Sequence, residues 1–237
     1  MELSFLGRGA GFNPVEGSTS AYFIDNGEMF LIDSGESTFQ TILNKKILDS
    51  VSKVNLLITH THSDHVGSLG TLILYAFAVK NLEVNIIIDE NMSYLPNIRS
   101  LLVIYGLTED MYRFVNVSEY DGKYSLFSKV HYFKTRHCTE LQSCGILFDT
   151  DKGLVFYSGD MNNLDPLLDI FKSGRPIDKI YIDSNGDRKP GPHHISIHQV
   201  NDVVTPELRP KIHCMHFNNS TCMAEARDYG FVVVDLV

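Results

Sequence analysis

The stretch Ile58-Thr59-His60-Thr61-His62-Ser63-Asp64-His65-Val66-Gly67 decides how this chain is read. An apolar strand runs directly into three histidines and a carboxylate within six positions. Imidazole nitrogen and carboxylate oxygen are the usual ligands of catalytic zinc. His60 and His62, one residue apart, can face one ion from an extended turn. Asp64 and His65 fall on the other side of that turn and can face a second ion. The competing reading is a polar loop with incidental histidines. It is the weaker one, because the ten histidines of this chain rarely place three here by chance.

Two ions need more ligands, and candidates stand where strands end. His137 follows the strand-like run 130–135, Asp160 follows 154–158, and His216 nearly closes 212–217. A ligand at a strand end has a rigid base yet reaches beyond the sheet edge. A carboxylate such as Asp160 has two oxygens and can bridge two ions. His131 and His213 lie inside their strands and read as partly buried or surface histidines.

Outward from the motif, hydrophobic period and breakers give the elements. Strands are expected at 3–6, 19–24, 29–33, 54–59 and 83–89, with helices at 37–48, 65–79 and 92–105. The second half repeats the logic. Strands are expected at 129–135, 144–148, 154–158, 179–183, 212–217 and 231–236, and helices at 164–172, 195–204 and 221–229. The aromatic segment 108–127 reads as a packed edge in preference to a lid or a dimer surface. Clustered strands with helices spaced between them fit two packed sheets with helices outside, or a mixed α/β layer. The 237 residues suit one domain spanning 1–237, or one unit of two similar halves.

Composition narrows the function classes. Hydrophobic residues make up 43% and charged residues 21%, enough for a real core. A net charge of −9 with no basic run argues against binding a polynucleotide backbone. It leaves room for a small phosphorylated substrate, since bound metals supply local positive charge. The opening Met1-Glu2-Leu3-Ser4-Phe5-Leu6 is strand-like and unlike a signal peptide, and the apolar run 69–79 is too short to span a bilayer. Cys138, Cys144, Cys214 and Cys222 lack metal-type spacing and read as reduced thiols. A cytoplasmic protein is therefore expected, in the host cytoplasm if the chain is virus-encoded. Gly7-Arg8-Gly9-Ala10-Gly11 fails as a dinucleotide loop, because Asn13-Pro14 follows and no helix opens there.

The His60 to His65 run resembles the His-x-His-x-Asp-His signature of the metallo-β-lactamase superfamily. The opening Leu3-Ser4-Phe5-Leu6-Gly7, then Leu31-Ile32-Asp33-Ser34-Gly35-Glu36, Tyr157-Ser158-Gly159-Asp160 and His194-Ile195-Ser196-Ile197-His198-Gln199 resemble its ribonuclease Z branch. That branch carries a long tRNA-binding arm between the third metal histidine and the bridging aspartate. Here a short hairpin turning near 149–153 joins His137 to Asp160, and no arm fits. The branch's Ser-rich basic tail is replaced by Phe217-Asn218-Asn219. The armless layout is most similar to the anti-Pycsar cyclic-nucleotide phosphodiesterases.

The resemblance implies an αββα sandwich of two mixed sheets and two Zn2+ ions, with Mn2+ as the other candidate. It implies one ion at His60, His62 and His137, another at Asp64, His65 and His216, and Asp160 bridging. It implies that His194 is not a ligand and works on the substrate phosphate, oriented by Asp183. Asp33 is expected to brace the metal loop, and Ser196 and Asn218 to contact substrate. Asp64 is counted with His194 and Asp183 among the catalytic groups. The expected reaction opens a 3′,5′-cyclic nucleotide to the linear monophosphate, by attack of a hydroxide bridging ions about 3.5–4 Å apart. A homodimer is expected, without membrane or long nucleic acid as partner. Other readings are a ribonuclease Z-like endonuclease, a glyoxalase-type thioester hydrolase, and a non-catalytic protein that sequesters nucleotides. The loop 185–192 is expected to rim the substrate pocket.

Overall fold

The computed structural model describes residues 1–90, 95–187 and 191–237. Two six-stranded sheets carry the fold. The first runs β1 (Ser4–Gly7), β2 (Ser20–Asp25), β3 (Glu28–Ile32), β4 (Lys53–Leu57), β5 (Glu83–Ile88) and β6 (Arg113–Asn116), in that spatial order. β1 to β3 are antiparallel, and β3 to β6 are parallel. The second contains β7 (Lys129–Thr135), β8 (Ser143–Thr150), β9 (Gly153–Tyr157), β10 (Ile177–Asp183), β11 (Ile212–Met215) and β12 (Val232–Val233). It too is antiparallel from β7 to β9 and parallel from β9 to β12. The halves therefore repeat one plan, and the αββα architecture is the observed one.

The helices are α1 (Thr38–Asn44), α2 (Ser63–Val66), α3 (Leu69–Ala78), α4 (Leu95–Ile104), α5 (Asp165–Lys172), α6 (Ile197–Val203) and α7 (Ser220–Asp228). Several differ from the sequence reading. The expected helix 37–48 stops at Asn44, because Lys46 turns left-handed at φ 55° before a 3-10 turn at Ile47–Ser50. The expected helix 65–79 begins earlier and breaks between Val66 and Leu69. There the Ser68 hydroxyl donates to the Gly35 carbonyl at 2.6 Å and accepts from Phe39 N–H at 3.2 Å. Of the expected helix 92–105, residues 92–94 lie outside the described residues, as do 188–190 of the rim loop.

Apolar strand faces and aromatic rings join the sheets. Phe23 and Phe30 stack at 4.8 Å, and Phe127 meets both edge-on and also contacts Phe148 of the second sheet. Tyr120 and Tyr124 pack against Phe30 in the same core. The aromatic segment 108–127 is thus a packed edge, containing the unforeseen strand β6. A second apolar cluster, with Phe156, Leu167, Ile180, Val200 and Ala226, sits beneath α5 to α7. Burial of such side chains contributes roughly 1.5–3 kcal/mol each. No helix among the described residues is long and apolar enough to cross a membrane.

Candidate metal centre

The site begins where β3 and β4 end. Asp33 follows β3 with φ 62°, a left-handed backbone that aspartate tolerates. Its Oδ1 accepts Thr59 N–H at 2.8 Å, and its Oδ2 accepts the Thr59 hydroxyl at 2.7 Å and lies 2.8 Å from His65 Nδ1. Thr59 Oγ1 in turn lies 3.1 Å from His60 Nδ1. One buried carboxylate therefore fixes the loop and presents the Nε2 edges of His60 and His65 to the same space. Gly35 admits the loop: a Cβ there would lie 1.9 Å from the Asp64 carbonyl oxygen.

The second half supplies the rest. His137 stands just beyond β7, with Nδ1 2.7 Å from the His193 carbonyl, so that nitrogen donates and Nε2 faces inward. Asp160 follows β9, and Asp183 ends β10. His216 follows β11 with φ 58°, a conformation that costs of order 1–3 kcal/mol for a non-glycine residue and is held by its surroundings. Phe217 N–H donates to the Arg8 carbonyl at 2.9 Å, pinning that turn to the first sheet's opening loop.

These side chains converge in two groups. His60 Nε2 and His137 Nε2 each lie 3.1 Å from His62 Nδ1 and 3.7 Å from Asp160 Oδ2. His65 Nε2 and His216 Nε2 lie 3.3 and 3.4 Å from Asp160 Oδ1, and 3.5 and 3.4 Å from Asp64 Oδ2. Asp160 thus divides its two oxygens between the groups.

The arrangement fits a pair of divalent cations on three grounds. A tetrahedral ion with bonds of about 2.1 Å has ligand–ligand edges of roughly 3.4 Å, and the observed edges run from 3.1 to 3.7 Å. The Nδ1 atoms of His60, His65 and His137 are engaged elsewhere, so the Nε2 atoms of His60 and His137 face His62 Nδ1 and Asp160, and that of His65 faces Asp160 and Asp64. So many acceptor atoms in one small space would be stabilised by positive charge among them. His65 Nε2 is also buried without a hydrogen-bond partner.

The electrostatics agree. Burial opposes charge on His65, yet Asp160 and Asp33 drive its pKa well above the ordinary histidine value. His216 is likewise pushed up to about 10, against burial, by Asp160, Asp183 and Asp64. Burial, reinforced by the neighbouring imidazoles, holds His60 well below the ordinary value. The carboxylates thus favour positive charge at His65 and His216, while burial favours the neutral, ligating form of His60.

Beside these groups, His194 holds Nδ1 2.8 Å from Asp183 Oδ2 and 3.9 Å from Asp160 Oδ2. Asp183 Oδ1 lies 3.3 Å from His216 Nδ1, so this carboxylate serves two histidines. His194 is a quarter exposed and opens on a cavity of about 640 Å3 whose walls include Phe12, His62, Asp64, Asn185 and Asn218.

The expected site residues gather here with one exception. Ser196, expected at the substrate, is buried and does not line the cavity: its hydroxyl accepts His198 N–H at 3.2 Å, and Gln199 reciprocates on the Ser196 backbone. The residue pattern of a helix cap was legible there. Asn218 does line the cavity and is oriented by Asn185 at 2.9 Å. Of the loop 185–192, Asn185 lines the cavity. His131 is exposed on β7, and His213 sits half-buried against Tyr181. Sequence reasoning missed Thr59, which links Asp33 to His60, and Asn162. Asn162 Nδ2 donates to the carbonyls of His137 and Pro192 at 3.0 and 2.7 Å. Its place two residues after Asp160 was the available signal.

Two mixed sheets with flanking helices and this His/Asp edge define a protein of the metallo-β-lactamase fold. The fold protein YhfI from Bacillus subtilis has a similar structure, at TM-score 0.72 and 13% identity, over 96% of this chain and 90% of that one. The chain belongs to the family of Anti-Pycsar protein Apyc1, which matches residues 1–234. It is 22% identical over 243 residues to an Anti-Pycsar protein Apyc1 of Bacillus phage 010DV004, covering 93% of this chain and 90% of that protein. A shorter stretch of 74 residues is 38% identical to ribonuclease Z of Halobacterium salinarum, covering 31% of this chain and 23% of that enzyme.

Proposed function

We propose that this protein is a two-metal phosphodiesterase that opens 3′,5′-cyclic nucleotides to linear monophosphates. The observation that carries the reading is Asp160, whose two oxygens are divided between His60 with His137 and His65 with His216. Membership of the Apyc1 family supports it. So does the tight β8–β9 turn, which closes on the Thr150–Gly153 pair and leaves no room there for an arm.

His60, His62, His137 and Asp160 would hold one zinc ion, and Asp64, His65, His216 and Asp160 the other. When bound, such a pair supplies Lewis acidity to the phosphate oxygens and yields a nucleophile from water at neutral pH. The protein residues do the rest. Asp33 and the His193 carbonyl hold His65 and His137 in one tautomer. Asp183 engages His194 Nδ1, leaving Nε2 to give a proton to the leaving ribose oxygen. Burial opposes the charged His194, but Asp183 and Asp160 raise its pKa above the ordinary value, which suits a proton donor.

The test incubates the zinc-loaded protein with the four common 3′,5′-cyclic nucleotides, a precursor tRNA and a thioester. Linear monophosphate from the cyclic nucleotides alone is the expected result. Cleaved tRNA or thioester with intact cyclic nucleotides would replace the reading. Cyclic nucleotides that bind and return unchanged would make the protein a sequestering one.

A further inference from the structure

Phe12 is fully exposed, at 104% of its reference area, and lines the cavity that contains the metal-binding groups. A lone exposed apolar side chain is ordinary on a protein surface. What sets Phe12 apart is how firmly its backbone turn is held beside that cavity. Gly11 and Phe12 form the tip of a turn closed by Asn13 N–H donating to the Ala10 carbonyl at 2.8 Å. Ala10 N–H and Asn13 Nδ2 both donate to the Phe217 carbonyl, at 3.0 and 2.9 Å, immediately after His216. Arg8 and Glu16 pair across the base of the loop at 2.7 Å. The tip also lies against Asp64, since a Cβ on Gly11 would stand 3.0 Å from its Oδ2.

We propose that Phe12 is the platform on which the nucleotide base stacks while the phosphate lies over the metal-binding groups. This rests on the reading of the site as a nucleotide phosphodiesterase. A flat ring on a tethered turn loses little entropy when covered, and its free face offers offset stacking to any base. Base–aromatic stacking is tolerant of sequence because every base has a π face. Phe12 therefore secures the base without selecting it.

The chain has no tryptophan, so Phe12→Trp places a single indole at the platform. Zinc-loaded Phe12→Trp is titrated with non-hydrolysable cyclic phosphorothioates of adenosine and cytidine, and with the abasic ribose cyclic phosphorothioate. Indole quenching by both nucleotides and none by the abasic analogue is expected. In parallel, calorimetry on Phe12→Ala should show Kd for both nucleotides rising roughly tenfold or more beyond any change for the abasic analogue. Nucleotides that bind by calorimetry without quenching overturn the proposal. So does a Phe12→Ala penalty equal for base-bearing and abasic ligands, or a changed oligomeric state on sizing, which would make the ring a subunit contact. Quenching by the analogues while the natural cyclic nucleotides stay intact on incubation would leave the platform standing and sink the enzymatic reading. Absence of all nucleotide binding would sink both.

Discussion

Asp183 holds His194 through a 2.8 Å contact between Oδ2 and Nδ1, while its other oxygen lies 3.3 Å from His216 Nδ1. One buried carboxylate thus orients both the proposed proton donor and a histidine of the candidate metal centre. His194→Ala should cut kcat by roughly 10²–10⁴-fold, the usual contribution of a general acid, while zinc content stays at the wild-type level. Asp183→Ala should lower both. Elemental analysis beside steady-state kinetics checks this, and zinc lost from His194→Ala would sink the assigned role.

Asp160 reaches both histidine groups with separate oxygens. Asp160→Ala should therefore empty both sites together, whereas His62→Ala should deplete chiefly the first. The zinc-to-protein ratio after dialysis decides it. Full occupancy in Asp160→Ala would show that the carboxylate does not bridge.

Asn162 ties the His137 carbonyl to the Pro192 carbonyl, beside the loop that carries His194. Losing both donors leaves that loop free to drift, so Asn162→Ala should lower kcat about tenfold with little change in KM. Asn162→Asp, equal in size but without donors, should do no better. A fully active aspartate variant would contradict the positioning role.

Gly35 lies under the metal loop, where an added Cβ meets the Asp64 carbonyl at 1.9 Å and Ser18 Cβ at 2.5 Å. Overpacking of this kind costs about 1–3 kcal/mol or more. Gly35→Ala should unfold at lower urea and bind zinc more weakly. An unchanged midpoint would mean that the loop moves aside freely.

His213 has its pKa lowered to about 4, first by burial and then by Lys179. The folded state therefore prefers the neutral ring. The resulting stability is complete above the unfolded value near 6.5 and is lost as pH falls from there toward 4. The full swing is worth up to roughly 3 kcal/mol. The zinc-loaded His213→Gln variant should show a shallower loss of stability than wild type over that window in urea titrations. Parallel curves would refute it.

The His60 to His65 run was readable because its candidate ligands are neighbours in the chain and follow an apolar strand. His137, Asp160 and His216 were readable as strand-end residues. The break at Gly67 and Ser68 was hidden, because Ser68 leaves the helix to bond Gly35, a partner far off in sequence. Ser196, expected at the substrate, instead caps α6, as its spacing from Gln199 spells out.

By itself, then, the sequence determined which chemistry is present and which elements carry it, since ligand type and hydrophobic period are local properties of the chain. Tertiary structure alone decided which nitrogen of each histidine faces inward, that Asp183 serves two imidazoles, and that Phe12 lines the cavity. Those depend on contacts such as His216 with Asp64, 152 positions apart, made when the two sheets bury their shared aromatic core.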